Sequence, residues 1–340
     1  PATPVAPVTS VAPVASAAAG DPIAPSLAYG SAGLYLAWQE RDAAGAYRAY
    51  VALSTDHGAT FGEPARVGAE GSTEEWTPTL ALGPAGPLVA FVSTVAGNER
   101  IYVAHAAPGT VAFGPARPVE PLASAGPAHP VEPSVSAGPA GPVRRNQWSP
   151  AVAVGTDGRA AIAWVDFRNA NWDVFLARSS DGITFGPAER ADDGSDAPER
   201  LHDDPSLAFA GDALAGAWSD VRQRQAPARP RAARLPGPSA ALGAAPPEAS
   251  GFRPRLLALA DGRVLATWQD LRSLGNDVYV AASANGGATF GPEARVDDGG
   301  EGPSYQFAPR PADAGAGRVV IAWEDTRAGR RRVRYAAGAL

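Results

Sequence analysis

A proline followed thirteen or fourteen residues later by an aromatic recurs six times along this chain. The pairs are Pro25 with Trp38, Pro78 with Phe91, Pro150 with Trp164, Pro205 with Trp218, Pro254 with Trp268 and Pro309 with Trp323. Successive aromatics lie 53, 73, 54, 50 and 55 residues apart, a period that suits one four-stranded unit per repeat. In the best copy, four short runs (Ala151–Val154, Ala160–Val165, Asp173–Arg178 and Ala188–Arg190) are separated by Gly- and Asp-containing turns, as in antiparallel hairpins. One such sheet cannot bury both faces alone, so the copies must stack. The expected fold is all-β, a six-bladed β-propeller of four-stranded antiparallel blades that start near residues 25, 78, 150, 205, 254 and 309.

A length of 340 residues would ordinarily suggest two domains, but a closed array of repeats is one structural unit and overrides that prior. Apolar residues make up 45% of the chain and supply a core between blades, while 38 Gly and 34 Pro match many short strands joined by turns. A net charge of −6 argues against a nucleic-acid partner. No apolar stretch is long enough to span a bilayer. The absence of Cys excludes disulfides and thiolate metal sites. Without Met, the chain is expected to begin after a processed or deleted N-terminus. Every basic residue is Arg, which keeps bidentate anion recognition available.

Residues 1–19 are uncharged and rich in Pro and Ala, which suits a linker left after export and a secreted, periplasmic or cell-surface location. The sixth repeat stops just after its third strand, so Val5–Val14 is expected to supply the strand that closes the last blade, with residues 20–340 forming the propeller. The Pro-, Ala- and Gly-rich stretch Pro118–Asn146 reads as a long connection, and Gln225–Ser250 as the irregular outer part of blade four.

Two motifs recur with the repeat. Ser54–Phe61 and Ser283–Phe290 follow Ser-x-Asp-x-Gly-x-Thr-Phe, the second with Asn285 for Asp, and Ser179–Phe185 is a shorter form. An Asp in such a turn accepts backbone N–H bonds while Gly supplies positive φ, so Asp56, Asp181 and Asn285 read as structural. The second motif is Trp-x-Asp-x-Arg at the end of the second strand, carrying Asp166 and Arg168, Asp220 and Arg222, Asp270 and Arg272, and Asp325 and Arg327, with Glu40 and Arg41 as the variant in blade one. Alternation puts Trp, Asp and Arg on one side of the strand. These ten residues are the candidate ligand-binding face. Because acid and Arg recur in step with the blades, a lattice that every blade needs is the simpler reading.

The Ser-x-Asp-x-Gly-x-Thr-Phe turns and the sixfold count resemble the Asp-box, or BNR-repeat, propellers of the sialidase type. That resemblance implies an active-site face opposite the Asp boxes, an Arg triad for the substrate carboxylate, a Tyr nucleophile and an Asp acid/base. Where the family has an Arg-Ile-Pro element, this chain has Ile23-Ala24-Pro25, and Phe307-Ala308-Pro309 occupies the nucleophile's place, with Tyr305 displaced upstream. The expectation is a non-catalytic module that binds a glycan or a protein. The alternative is a divergent exo-glycosidase using Tyr305, Asp270 or Glu301, and Arg residues drawn from Arg41, Arg253, Arg272 and Arg310. No cofactor is expected. The acidic turns holding Asp192, Asp193, Asp196, Asp203 and Asp204, and Asp297, Asp298 and Glu301, offer oxygen ligands of the kind calcium takes, but solvated loops are the simpler reading. His57, His105, His129 and His202 show no metal-like pairing.

Overall fold

The computed structural model describes residues 22–120, 146–169, 171–192, 201–221, 227–244, 246, 249–272, 275–297, 305–315, 317–326 and 332–339. Among them are twenty-three strands and no helix, so no helix is long and apolar enough to cross a membrane. The strands form six antiparallel sheets, each ordered as in the sequence; five have four strands and the last has three. These are the blades of an all-β six-bladed propeller.

The chain divides into two compact units, within residues 10–189 and 190–340. In the first, the leading strands Ile23–Gly30, Ser72–Gly83 and Gln147–Val154 neighbour one another and are therefore the inner strands of blades one to three. Tyr35, Val51, Leu80, Phe91 and Tyr102 fill the space between blades one and two, and Leu88, Ile101, Ile162 and Trp164 that between blades two and three. In the second unit the inner strands are Leu201–Ala210, Gly251–Ala258 and Gln306–Gly315. Ala217, Ala266, Trp268 and Tyr279 pack between blades four and five; Leu265, Val278, Ile321 and Trp323 pack between five and six.

The second strands explain the Ala-rich composition. Ala160–Asp166 and Val264–Asp270 are buried at every position, sandwiched between sheets on both faces. Small residues let the sheets approach while one Trp per strand fills the remaining volume. Burying each such aromatic contributes about 1.5–3 kcal/mol.

The inner strands begin earlier than their prolines suggest. In all six, the residue before the proline has a left-handed backbone: Ala24 (φ 54°), Thr77 (44°), Ser149 (50°), Asp204 (53°), Arg253 (51°) and Ala308 (51°). None is Gly, so each stores on the order of 1–3 kcal/mol of strain. The strand register shifts at the same place in every blade, marking a β-bulge. The bulge turns one N–H out of its own sheet, and the preceding blade takes it up. Gln39 Oε1 accepts from Thr77 N, Ser219 Oγ from Arg253 N at 3.0 Å, and Gln269 Oε1 from Ala308 N at 3.2 Å.

Blade four departs from expectation. Its third strand, Arg229–Leu235, is regular and pairs with Leu214–Asp220 across seven successive positions, where an irregular segment was expected. The Pro and Arg content hid the signal, and Gly216 makes the space that Leu235 fills, since a Cβ there would lie 2.6 Å from Leu235 Cδ1.

Candidate functional site

The inner-strand ends of the second unit bring Arg253 and Arg255 to Asp204, with Arg310 within electrostatic range of all three. Arg253 Nε lies 3.9 Å from Asp204 Oδ2, and Arg255 Nη2 lies 3.7 Å from Asp204 Oδ1. Arg255 Nη1 also donates to the Pro254 carbonyl at 2.8 Å. Arg310, one residue past its own proline, feels the charges of Arg255, Asp204, Arg253 and Glu324. The bulge sets this geometry, because Asp204 and Arg253 are themselves left-handed residues while Arg255 and Arg310 follow the prolines.

The guanidinium groups of this cluster are only loosely paired. Arg310 makes no ion pair among the described residues, and the pairs of Arg253 and Arg255 with Asp204 are long. Burial, followed by the like charges of Arg255 and Arg253, lowers the Arg310 pKa to about 10, against the partial opposition of Asp204 and Glu324. Burial likewise lowers that of Arg255, Asp204 opposing and Arg253 adding to the effect. An anion placed here would relieve that repulsion. Arg310 is open to solvent as a residue although protein atoms crowd its guanidinium, and Arg253 has 47% of its side chain open to solvent, so a ligand can reach them.

Of the Arg set named for the glycosidase alternative, the structure brings Arg253 and Arg310 together and leaves Arg272 in a different setting. Arg272 donates to Asp270 at 2.8 Å and Glu293 at 2.7 Å, and its guanidinium lies 4.1 Å over the Tyr279 ring. Arg41, in the other unit, donates to the Gly45 carbonyl at 2.8 Å and covers the Tyr47 ring at 4.3 Å. Tyr305 is 46% exposed and stacks parallel on Phe307 at 6.1 Å. Glu301 lies outside the described residues.

The Trp-x-Asp-x-Arg motif forms an internal latch. In blade three, Trp164 Nε1 donates to Asp166 at 3.0 Å, the Arg168 N–H donates to Asp166 at 2.8 Å, and the Arg168 guanidinium bridges Asp166 and Glu120 while lying 3.9 Å over Phe175. Blade five repeats this with Trp268, Asp270, Arg272, Glu293 and Tyr279. In blade one, Trp38 Nε1 donates to Glu40 at 3.1 Å. Asp220 faces Arg231 at 3.4 Å, and Asp325 faces Arg334 at 3.3 Å. Glu40, Asp166, Asp220, Asp270 and Asp325 are all buried. Arg222 and Arg327 lie outside the described residues.

The Ser-x-Asp-x-Gly-x-Thr-Phe turns close on themselves. Asp56 accepts from the Thr60 N–H and hydroxyl and from Ser54, which lowers its pKa to about 2. The N–H groups of Thr184 and Ile183 hold Asp181 well below the usual carboxylate range, and Asn285 accepts from the Thr289 N–H at 3.0 Å. Among the calcium candidates, Asp192 is paired with Arg190 at 2.6 Å, Asp203 accepts from the Asp204 N–H, and Asp204 is the counter-ion of the Arg cluster. Asp193, Asp196 and Asp298 are not among the described residues. His202 is fully buried, 3.8 Å from Asp192 and 3.5 Å from Asp220.

Arg255 is the site residue that the motif reading missed. Its signal was present in the Pro frame, because Pro254-Arg255 and Pro309-Arg310 occupy the same place in successive repeats.

The class this architecture defines is the six-bladed β-propeller, and solved structures share it. A protein of unknown function from Dyadobacter fermentans matches at TM-score 0.57 and 16% identity, covering 93% of this chain and 94% of that one. An α-L-arabinanase from Penicillium chrysogenum, in complex with arabinobiose, matches at TM-score 0.57 and 14% identity over 94% and 93% of the two chains. An α-L-arabinofuranosidase from Fusarium graminearum, in complex with an iminosugar inhibitor, matches at TM-score 0.51 and 11% identity over 93% of each. At these identities the likeness is one of fold. Of these three, the two with a named activity are an arabinanase and an arabinofuranosidase, so they do not carry the sialidase-specific resemblance. No protein-family profile and no curated protein matches the chain.

Proposed function

We propose that this propeller binds an acidic carbohydrate without turning it over, its carboxylate received by Arg253, Arg255 and Arg310. The observation that carries the reading is that Arg253, Arg255 and Arg310 bear on one another at solvent-reachable inner-strand ends while Arg253 and Arg255 make only long contacts to Asp204. Guanidinium forks match a carboxylate in bidentate fashion, and the partly desolvated setting strengthens each contact. The saccharide class rests on the likeness in fold to the arabinanase and arabinofuranosidase neighbours. Sialidase-type chemistry in particular is disfavoured by Ile23-Ala24-Pro25, which lacks the Arg of that element, and by the displaced Tyr305. An exported or cell-surface location completes the reading.

Calorimetric titration with galacturonic acid and its neutral counterpart galactose tests this. Galacturonic acid should bind more tightly, with affinity falling as salt rises, and Arg255→Ala or Arg310→Ala should each weaken it about tenfold or more. Equal affinity for the two sugars would sink the carboxylate assignment. A second reading, a glycoside hydrolase, is favoured by one observation: Asp204 and Glu324 both bear on Arg310, placing two acids at the cluster. Turnover of a fluorogenic glycoside panel, abolished by Asp204→Asn or Glu324→Gln, would select it.

A further inference from the structure

A second cluster lies in the unit of residues 10–189, at the blade ends where Ser149 takes its left-handed conformation. Trp148 and Trp172 meet edge to face, their ring centroids 4.9 Å apart and their planes at 61°. Trp148 Nε1 donates to Glu99 Oε2 at 2.6 Å, a charge-assisted bond that fixes the indole. Both indoles are half-buried, so each keeps surface open to solvent. Glu99 is half-buried too, and its Oε1 accepts no hydrogen bond among the described residues.

The strand register shows that this group belongs to a row. Glu40 pairs with Arg48, Ser93 with Arg100 and Asp166 with Asp173, so Tyr47, Glu99 and Trp172 hold the same place in three successive blades. Trp76 and Trp148 each stand two residues before the proline of their blades, and Trp76 meets Tyr47 at 6.4 Å. Packing accounts for Trp76 and Trp148, which lie against the core between blades two and three. Trp172 stands on the connection leading to the buried Asp173, where its ring meets that of Trp148.

We propose that Trp148, Trp172 and Glu99 form a stacking subsite for a neutral sugar ring. An indole offers a flat apolar surface to the C–H face of a saccharide, and a carboxylate beside it accepts a hydroxyl proton. Glu99 Oε1 is the acceptor, while Oε2 holds the platform in place. The subsite rests on the carbohydrate reading above but uses none of the Arg cluster, so the two stand or fall separately.

Calorimetric titration of the full chain with linear α-1,5-arabinotriose and with cellotriose tests the proposal, alongside galacturonic acid as the probe of the Arg cluster. At least one neutral trisaccharide should bind. Trp172→Ala should weaken it about tenfold while circular dichroism shows the chain still folded, and Trp172→Phe should restore most of the affinity. Glu99→Gln, which keeps an acceptor for the Trp148 N–H, should also weaken the trisaccharide and keeps the test open if the Ala variant folds poorly. Arg255→Ala should leave trisaccharide binding unchanged. Failure of both trisaccharides to bind, or full affinity in Trp172→Ala and Glu99→Gln, would overturn the subsite; galacturonic acid binding that persists alongside either result would leave the Arg-cluster reading intact.

Discussion

Asp166 shows how one side chain serves several partners. Burial pushes its pKa up, yet bonds from Arg168, Trp164 and Gln147 outweigh that and leave it lowered. Removing a buried partner of an ion pair typically costs about 3–5 kcal/mol, because the remaining charge is left uncompensated. Asp166→Ala is therefore expected to lose stability of that order in urea denaturation. The pH dependence has a definite sign. A folded pKa below the unfolded value near ~3.9 means the stabilisation is complete above that pH and is lost as pH falls through the folded pKa. The stability gap between wild type and Asp166→Asn should accordingly close as the medium is acidified below about pH 4; a gap independent of pH would mean that the carboxylate's charge contributes nothing. The sequence already favoured this lattice reading, since Asp and Arg recurred in step with the blades. It held no comparable sign of Glu120 or Glu293, which complete the latch from outside the motif.

Among the elements, the inner strands depart most from what their residues suggest. A proline reads as the start of a strand, because it fixes φ and lacks an N–H. Here the strand starts before it, through a bulge whose left-handed residue is never Gly. Local preference opposes this conformation, and the preceding blade supports it by accepting the displaced N–H through Gln39, Ser219 or Gln269. Gln269→Ala should leave the Ala308 N–H without that acceptor and cost about 1–2 kcal/mol, read as a lowered urea midpoint with unchanged m-value. An unchanged midpoint would mean that another acceptor serves the bulge equally well. The same bulge places Asp204 and Arg253, so a strained element and the candidate site are one feature. Repeats, turns and second strands were legible from period and alternation; the bulges were not, because they are stabilised between sheets.

For the whole molecule, the described part of blade six has three strands where the others have four. On its third strand, Arg332–Ala339, Val333 is 77% exposed and Tyr335 42%. Residues 5–14, the expected closing strand, lie outside the described residues. If they pair there, a chain beginning at residue 20 should lose cooperative unfolding, seen as a broadened thermal transition; a sharp transition at the full-length temperature would remove them from the fold. The amino-acid sequence by itself determined the all-β class and the count of six units, because these depend on short-range periodicity and on motifs repeated within each blade. Only the tertiary structure decided that Arg255 joins Arg253 and Arg310 around Asp204, and that Trp172 meets Trp148. Those contacts join residues 24 to 106 positions apart on separate strands or blades, and no local pattern encodes a distance that packing alone sets.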